Sequence, residues 1–232
     1  PLKPRHNPGA WTMPLDHILH PSLLTKTQLL TKWAPKPANA FAALATSTFN
    51  NAALSKHEKE LIAIGCAHTL RCPYCIDYHT SLALEAGASH EEIIEAAWVG
   101  IISETNSSVS QFPITIDALN SDLKSYQTEN SAEQLKQLHE MNEGPLKSLE
   151  HLENKIFENK TLKSSFKHLI ALACAHNTRD PHSIKRLTKM ALKAEFSKAQ
   201  ITESVWVAIE MAAGASFGHA GLTAALLESA DD

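Results

Sequence analysis

The chain has 232 residues, enough to bury a core as one large domain or two small ones. A formal charge of −4 with no long run of Lys or Arg excludes the electrostatic footprint of a protein that binds nucleic acid or an acidic membrane surface. No apolar run approaches bilayer length, the four cysteines are too few for a disulfide scaffold, and a composition 44% hydrophobic and 20% charged, rich in Ala, Leu, Glu and Lys, points to an all-α protein.

The opening PLKPRHNPGAW is too polar and proline-rich for a secretory signal, so a cytoplasmic protein is expected. Residues 1–36 read as an arm with one small helix around LLTKW. A helical unit follows over residues 37–111. PANAFAALATSTF and KHEKELIAIGCAHTLR repeat apolar residues at spacings of three and four. Pro73 suits the first turn of the next helix and Gly87 its exit. Ser89 and Glu92 then form a capping box ahead of IIEAAWVGII. Residues 112–144 read as a linker with helical segments such as SAEQLKQLHEM, and residues 145–232 as a second unit.

The second unit is a copy of the first. LIAIGCAHTLRCP at Leu61 to Pro73 lies over LIALACAHNTRDP at Leu169 to Pro181, and the same shift pairs Pro37 with Pro145, Phe49 with Phe157, Glu95 with Glu203 and Trp98 with Trp206. No gap is needed from Pro37 to Gln111, and roughly a third of the positions are identical. What both copies share belongs to the fold. On that ground Cys66, His68, Cys174, His176 and the paired tryptophans Trp98 and Trp206 are expected in the core.

What the copies do not share is chemical. Glu60, Cys72, Cys75 and His79 become His168, Asp180, Ser183 and Leu187. With a helix starting at Pro73, Cys72 is its cap and Cys75 lies in its first turn, where unpaired N–H groups and the helix dipole stabilise a thiolate. His79, one turn later on the same face, is placed to take the thiol proton. Glu60, on the preceding helix, is placed to orient that imidazole. Two other readings stand beside this one. His68, Cys72, Cys75 and His79 make a two-Cys, two-His set of the kind that holds zinc, although all four come from one helix end and the next helix start. The thiols are also open to a reading as two buried cysteines that happen to be near each other.

The spacing of Glu60, Cys72, Cys75 and His79 resembles the signature of the alkylhydroperoxidase D group within the carboxymuconolactone decarboxylase superfamily. The resemblance is close over the first unit and extends to the second as fold alone. It implies an all-α chain of two tandem helical units, the second lacking the cysteine pair. It further implies a thiol peroxidase acting on small hydroperoxides, in which Cys75 attacks the peroxide and Cys72 resolves the sulfenic acid to a disulfide. Glu60 and His79 then match a proton relay. No bound cofactor or metal is implied; an external dithiol such as dihydrolipoamide, or a redox protein, is the expected reductant. A homo-oligomer is expected, a trimer in preference to a dimer or hexamer, because three duplicated chains reproduce a six-unit ring. Tyr74 is a departure, since members of the group carry a histidine between the cysteines; it is held as a possible accessory group. Lactone decarboxylation is not expected, because the decarboxylase that names the superfamily lacks the cysteine pair. The alternative function is a non-enzymatic redox sensor or disulfide-exchange module.

Overall fold

The structure, a computed structural model, describes residues 25–120, 140 and 143–228. Residues 1–24 of the arm, and most of SAEQLKQLHEM within the linker, lie outside the described residues. Among the described residues the chain is helical, without a strand. The first part holds α1 (Thr27–Trp33), α2 (Pro35–Phe49), α3 (Lys56–Thr69), α4 (Pro73–Glu85), α5 (His90–Ser110) and α6 (Phe112–Asn120). The second holds α7 (Glu143–Phe157), α8 (Ser164–Asn177), α9 (Pro181–Lys193) and α10 (Lys198–Glu228). The duplicated helices agree in length: α3 and α8 have 14 residues each, and α4 and α9 have 13 each.

Local chemistry sets the boundaries. Ser55 and Glu58 form a reciprocal capping box at the start of α3, and Ser89 and Glu92 do the same for α5. Ser197 and Gln200 repeat it for α10, with Ser197 N–H donating to Gln200 Oε1 at 3.0 Å and Gln200 N–H to Ser197 Oγ at 3.2 Å. Pro73 and Pro181 open α4 and α9, where a missing N–H costs no intrahelical bond. Gly87, at φ +88°, releases the chain from α4 into the turn before α5.

α3 and α8 pack against each other at the centre, flanked by α5 and α10, and each long outer helix touches the central helix of both copies. The approach of α3 to α8 is close: a Cβ on Gly65 would lie 2.6 Å from Ile170 Cγ2 and 3.1 Å from Cys174 Sγ. Leu61, Ile62, Ile64, Leu169, Ile170 and Leu172 are fully buried in this seam, each contributing about 1.5–3 kcal/mol through water exclusion. Cys66 and Cys174, counterparts in the two copies, meet there and share a thiol hydrogen bond. Burial, reinforced by Cys174, pushes the Cys66 thiol well above its ordinary value.

The copies also exchange buried ion pairs. Lys59 of the first reaches Glu203 of the second at 3.1 Å, and Lys167 of the second reaches Glu95 of the first at 2.7 Å. Each carboxylate accepts two backbone N–H groups from the opposite copy as well. Ala53 and Leu54 donate to Glu203, both at 2.9 Å, and Thr161 and Leu162 donate to Glu95 at 3.0 and 3.1 Å. The ammonium groups are further capped by carbonyls, Asn50 for Lys59, and Ile156 and Glu158 for Lys167. A charge taken out of water needs such complete coordination to be tolerated.

The core expectation holds for Cys66 and Cys174, which are fully buried, and fails for the tryptophans. Trp98 is 44% exposed and Trp206 52% exposed. The reason is the helix face: α5 turns Ala96, Val99 and Ile102 inward, and α10 turns Val207, Ala208 and Met211 inward, which leaves each tryptophan on the outer side. His68 and His176 are half-buried at the edge of the seam, and His68 Nδ1 bonds the Ile64 carbonyl at 2.8 Å. No helix among the described residues is long and apolar enough to cross a membrane.

Candidate active site

The turn from α3 to α4 fixes Cys72 from both sides. Arg71 takes a left-handed conformation, φ 51°, and the turn closes with Arg71 N–H donating to the His68 carbonyl at 3.1 Å and Cys72 N–H to the Ala67 carbonyl at 3.2 Å. This is the Schellman pattern, here with an arginine where glycine is usual. Arg71 also pairs with Glu104 of α5. Arg179 repeats the left-handed turn in the second copy at φ 57°, so the turn is part of the frame. Cys72 thus ends one helix motif and caps the next, with Cys75 N–H donating to Cys72 Sγ at 3.2 Å.

The two sulfurs are at bonding distance and their Cα atoms 5.3 Å apart. Their exposures differ. Cys72 is wholly buried, whereas Cys75 is 7% exposed and faces a cavity of about 520 Å³. His79, one turn on, is nearly buried; its Nδ1 lies 2.8 Å from Oε2 of the fully buried Glu60. With that nitrogen engaged by the carboxylate, Nε2 is left as the basic nitrogen of the neutral ring. The imidazole is clamped by rings, Phe49 stacked at 5.2 Å and Tyr78 edge-on at 5.2 Å. Burial raises the Tyr78 phenol above its ordinary value, and the charges of Glu60, Glu210 and Glu85 push it further.

Apolar side chains, Phe41, Leu82, Met211 and Phe217 among them, make most of the cavity wall. Phe41 and Phe217 stack at 4.6 Å, joining α2 to α10. The cavity is therefore closed by both copies. Tyr74 also borders it, almost fully buried, with its ring edge-on to His219 at 5.3 Å and its side chain against Gly218. Burial raises its phenol above the ordinary value.

Glu60, Cys75, His79 and Tyr74 thus line one cavity, and Cys72 sits directly behind it. His68 is not drawn to them, being bonded to its own helix, and among the described residues no group of three or more His, Cys, Asp or Glu side chains is arranged to hold a metal ion. The second copy has no matching chemistry. Asp180 caps α9 by accepting from His182 and Ser183 N–H, His168 stacks on Phe157 at 4.3 Å, and Leu187 is buried.

One residue at this cavity escapes a reading of local spacing. Glu210 of α10 is 4% exposed, lines the same cavity, and leaves its Oε2 without a hydrogen-bond partner. Its counterpart in the first copy is Ile102, which is fully buried. The signal was present in the duplication, as a carboxylate replacing an isoleucine within an otherwise apolar frame.

The family model described as "Carboxymuconolactone decarboxylase family" matches residues 35–109 and again residues 145–225, once in each copy. Among curated proteins, "Uncharacterized protein 4 in cox locus" of Paracoccus denitrificans is 46% identical over 61 residues, which is 26% of this chain and 55% of that protein. The chain therefore spans about half the length of the relative it matches. No solved structure matches the chain significantly.

Proposed function

Because the chain belongs to the carboxymuconolactone decarboxylase family, which includes alkylhydroperoxidase-like members, we propose that it is a thiol-dependent peroxidase reducing small organic hydroperoxides through Cys72 and Cys75. The observation that carries this reading is the difference in access between the paired sulfurs: Cys75 opens on the cavity beside the His79 and Glu60 pair, and Cys72 lies behind it. In the reduced protein, His79 takes the Cys75 proton while Glu60 holds the imidazole in place. The unpaired N–H groups of the first helical turn lie beside the thiolate so formed. The thiolate attacks the peroxide, a sulfenic acid forms on Cys75, and Cys72 displaces its oxygen as water to give the disulfide.

The apolar cavity suits a hydroperoxide with a hydrocarbon body. It also suits a slender reductant such as dihydrolipoamide in preference to a folded redox protein, because Cys75 is only 7% exposed and Cys72 is wholly buried. No bound cofactor is needed for this cycle. Intact-mass measurement of the reduced protein before and after addition of an organic hydroperoxide tests the reading. A loss of two hydrogens located at Cys72 and Cys75 is expected; an unchanged mass, or oxidation confined to other residues, would sink it.

The working form is proposed to be a homo-oligomer, with a trimer preferred. Ile94, Trp98 and Ile101 form an exposed apolar stripe on α5, and Trp206 and Ile209 form its counterpart on α10. Contiguous apolar surface of this kind is characteristic of a subunit interface. Light scattering is expected to return three chain masses for the wild type and a smaller species for Trp98→Asp combined with Trp206→Asp. A monomeric wild type at micromolar concentration contradicts the assignment.

A further inference from the structure

We propose that Glu210, supplied by the second copy, is the acid that protonates the departing oxygen when Cys75 attacks a hydroperoxide. The inference rests on the peroxidase reading above and extends it to a residue outside the Glu60, Cys72, Cys75 and His79 signature. Three observations converge on Glu210. It is 96% removed from solvent, yet it borders the cavity that Cys75 and His79 border. Its Oε2 has no hydrogen-bond partner; Glu60 and Asp180 also leave one oxygen unpartnered but each bonds through the other, and the partly buried Glu95 and Glu203 are each held by an ammonium and two backbone N–H groups. Its counterpart Ile102 shows that the fold itself has no need of a carboxyl at this position.

The surroundings favour the neutral form of this carboxyl. Burial raises its pKa above the ordinary carboxylate range, and the negative Glu60 adds to the rise, while His79 pulls the other way. The titratable and charged groups around it are Lys56, Glu60 and Cys66 on α3, and Tyr74, Cys75, Tyr78 and His79 on α4. From α1 and α2 the wall carries only Thr27, Phe41, Ala45, Thr46 and Phe49. A nearly buried carboxyl in a mostly apolar wall, with its neutral form favoured, is suited to donate a proton, the arrangement enzymes employ for general-acid catalysis.

The Cys75 sulfur forms a bond to the terminal peroxide oxygen, and the O–O bond breaks. Sulfur loses two electrons to the peroxide, and the alkoxide that leaves takes the Glu210 proton and departs as an alcohol. The proton that His79 removed from the thiol then recharges Glu210. The sum is one thiol and one hydroperoxide converted to one sulfenic acid and one alcohol.

The leaving group supplies the test. An alkoxide is a poor leaving group and needs the proton; the carboxylate released from a peracid does not. In stopped-flow oxidation of the reduced full-length chain, Glu210→Gln is expected to slow reaction with cumene hydroperoxide about 10²-fold. The same sample is expected to react with peracetic acid at close to the wild-type rate. Retention of the peracid rate also shows that the variant is folded and that its Cys75 thiolate is formed. With cumene hydroperoxide the wild-type rate is expected to fall as pH rises through the elevated Glu210 value, a limb that Glu210→Gln lacks. Equal slowing with both oxidants, or no slowing with the alkyl hydroperoxide, overturns the role of Glu210 and leaves the peroxidase reading intact. A wild type that neither oxidant converts to the disulfide overturns both.

Discussion

Cys75→Ser is expected to abolish peroxide-dependent oxidation of the dithiol, lowering the rate by about three orders of magnitude or more, because the attacking atom is removed. Cys72→Ser is expected to behave differently. Cys75 still faces the cavity and His79 still takes its proton, so the first oxidation proceeds at close to the wild-type rate. It then stops at the sulfenic acid, since the resolving sulfur is missing. Mass analysis of Cys72→Ser after one equivalent of hydroperoxide should show a protein one oxygen heavier, trappable with a sulfenic-acid reagent, and steady-state turnover with a dithiol should be lost. The contrast follows from burial, 7% exposure for Cys75 against none for Cys72. If the two serine variants exchanged behaviours, the attacking and resolving roles would have to be exchanged as well.

Glu203→Ala is expected to destabilise the protein by about 3–5 kcal/mol, the usual effect of leaving a buried ion without its partner. The variant strands the Lys59 ammonium, which is almost fully buried, together with the N–H groups of Ala53 and Leu54. Lys59→Met in the same background should recover part of the loss, because the orphaned charge is then gone. Urea unfolding measures both, and a loss below about 1 kcal/mol in Glu203→Ala would show that the exchanged pairs add little. The pair also carries a pH signature. Burial works to raise the Glu203 pKa, but hydrogen bonds from Leu54, Ala53 and Lys59 outweigh it and hold the carboxyl below its ordinary value of 4.5. Burial likewise works to raise Glu95, where Lys167, Leu162 and Thr161 hold it down. A depressed folded-state pKa means stability that is present above the unfolded value and lost as pH falls through the folded one. Stability should therefore begin to fall as pH drops through the ordinary carboxylate range and go on falling through the depressed values of Glu203 and Glu95, less steeply in Glu203→Ala.

Much of the site is legible in the sequence because its logic is local. A cap, a first-turn cysteine and a histidine one turn later are fixed by helix geometry once Pro73 marks the start, and the contact between His79 and Glu60 needs only that α3 and α4 pack side by side. Comparing the copies then separates frame from chemistry, since Arg71 and Arg179 share a turn that only one copy equips with sulfur. Three features depend on tertiary placement and have no local signal. Trp98 and Trp206 look like core residues by composition, but the helix phase set by Val99 and Ile102, and by Val207 and Met211, turns them outward. The matched Glu95 and Glu203 look like repeated surface acids, yet each is held by the opposite copy's lysine. Glu210 stands far from the cysteines along the chain and reaches them only because α10 packs against α3 and α4.

That last placement bears on why the unit is doubled. In a dimer of identical units, the position held by Ile102 and Glu210 would carry the same residue in both halves, and a carboxyl placed at one cavity would be placed at its twin as well. Joining the units in one chain releases the two positions from each other. One half keeps an isoleucine to fill a closed seam, and the other keeps an acid at the cavity that Cys75 lines. The half without the cysteine pair is then free to vary at the face it lends to its neighbour, and is bound to its inherited sequence where Lys167 and Glu203 lock the halves together.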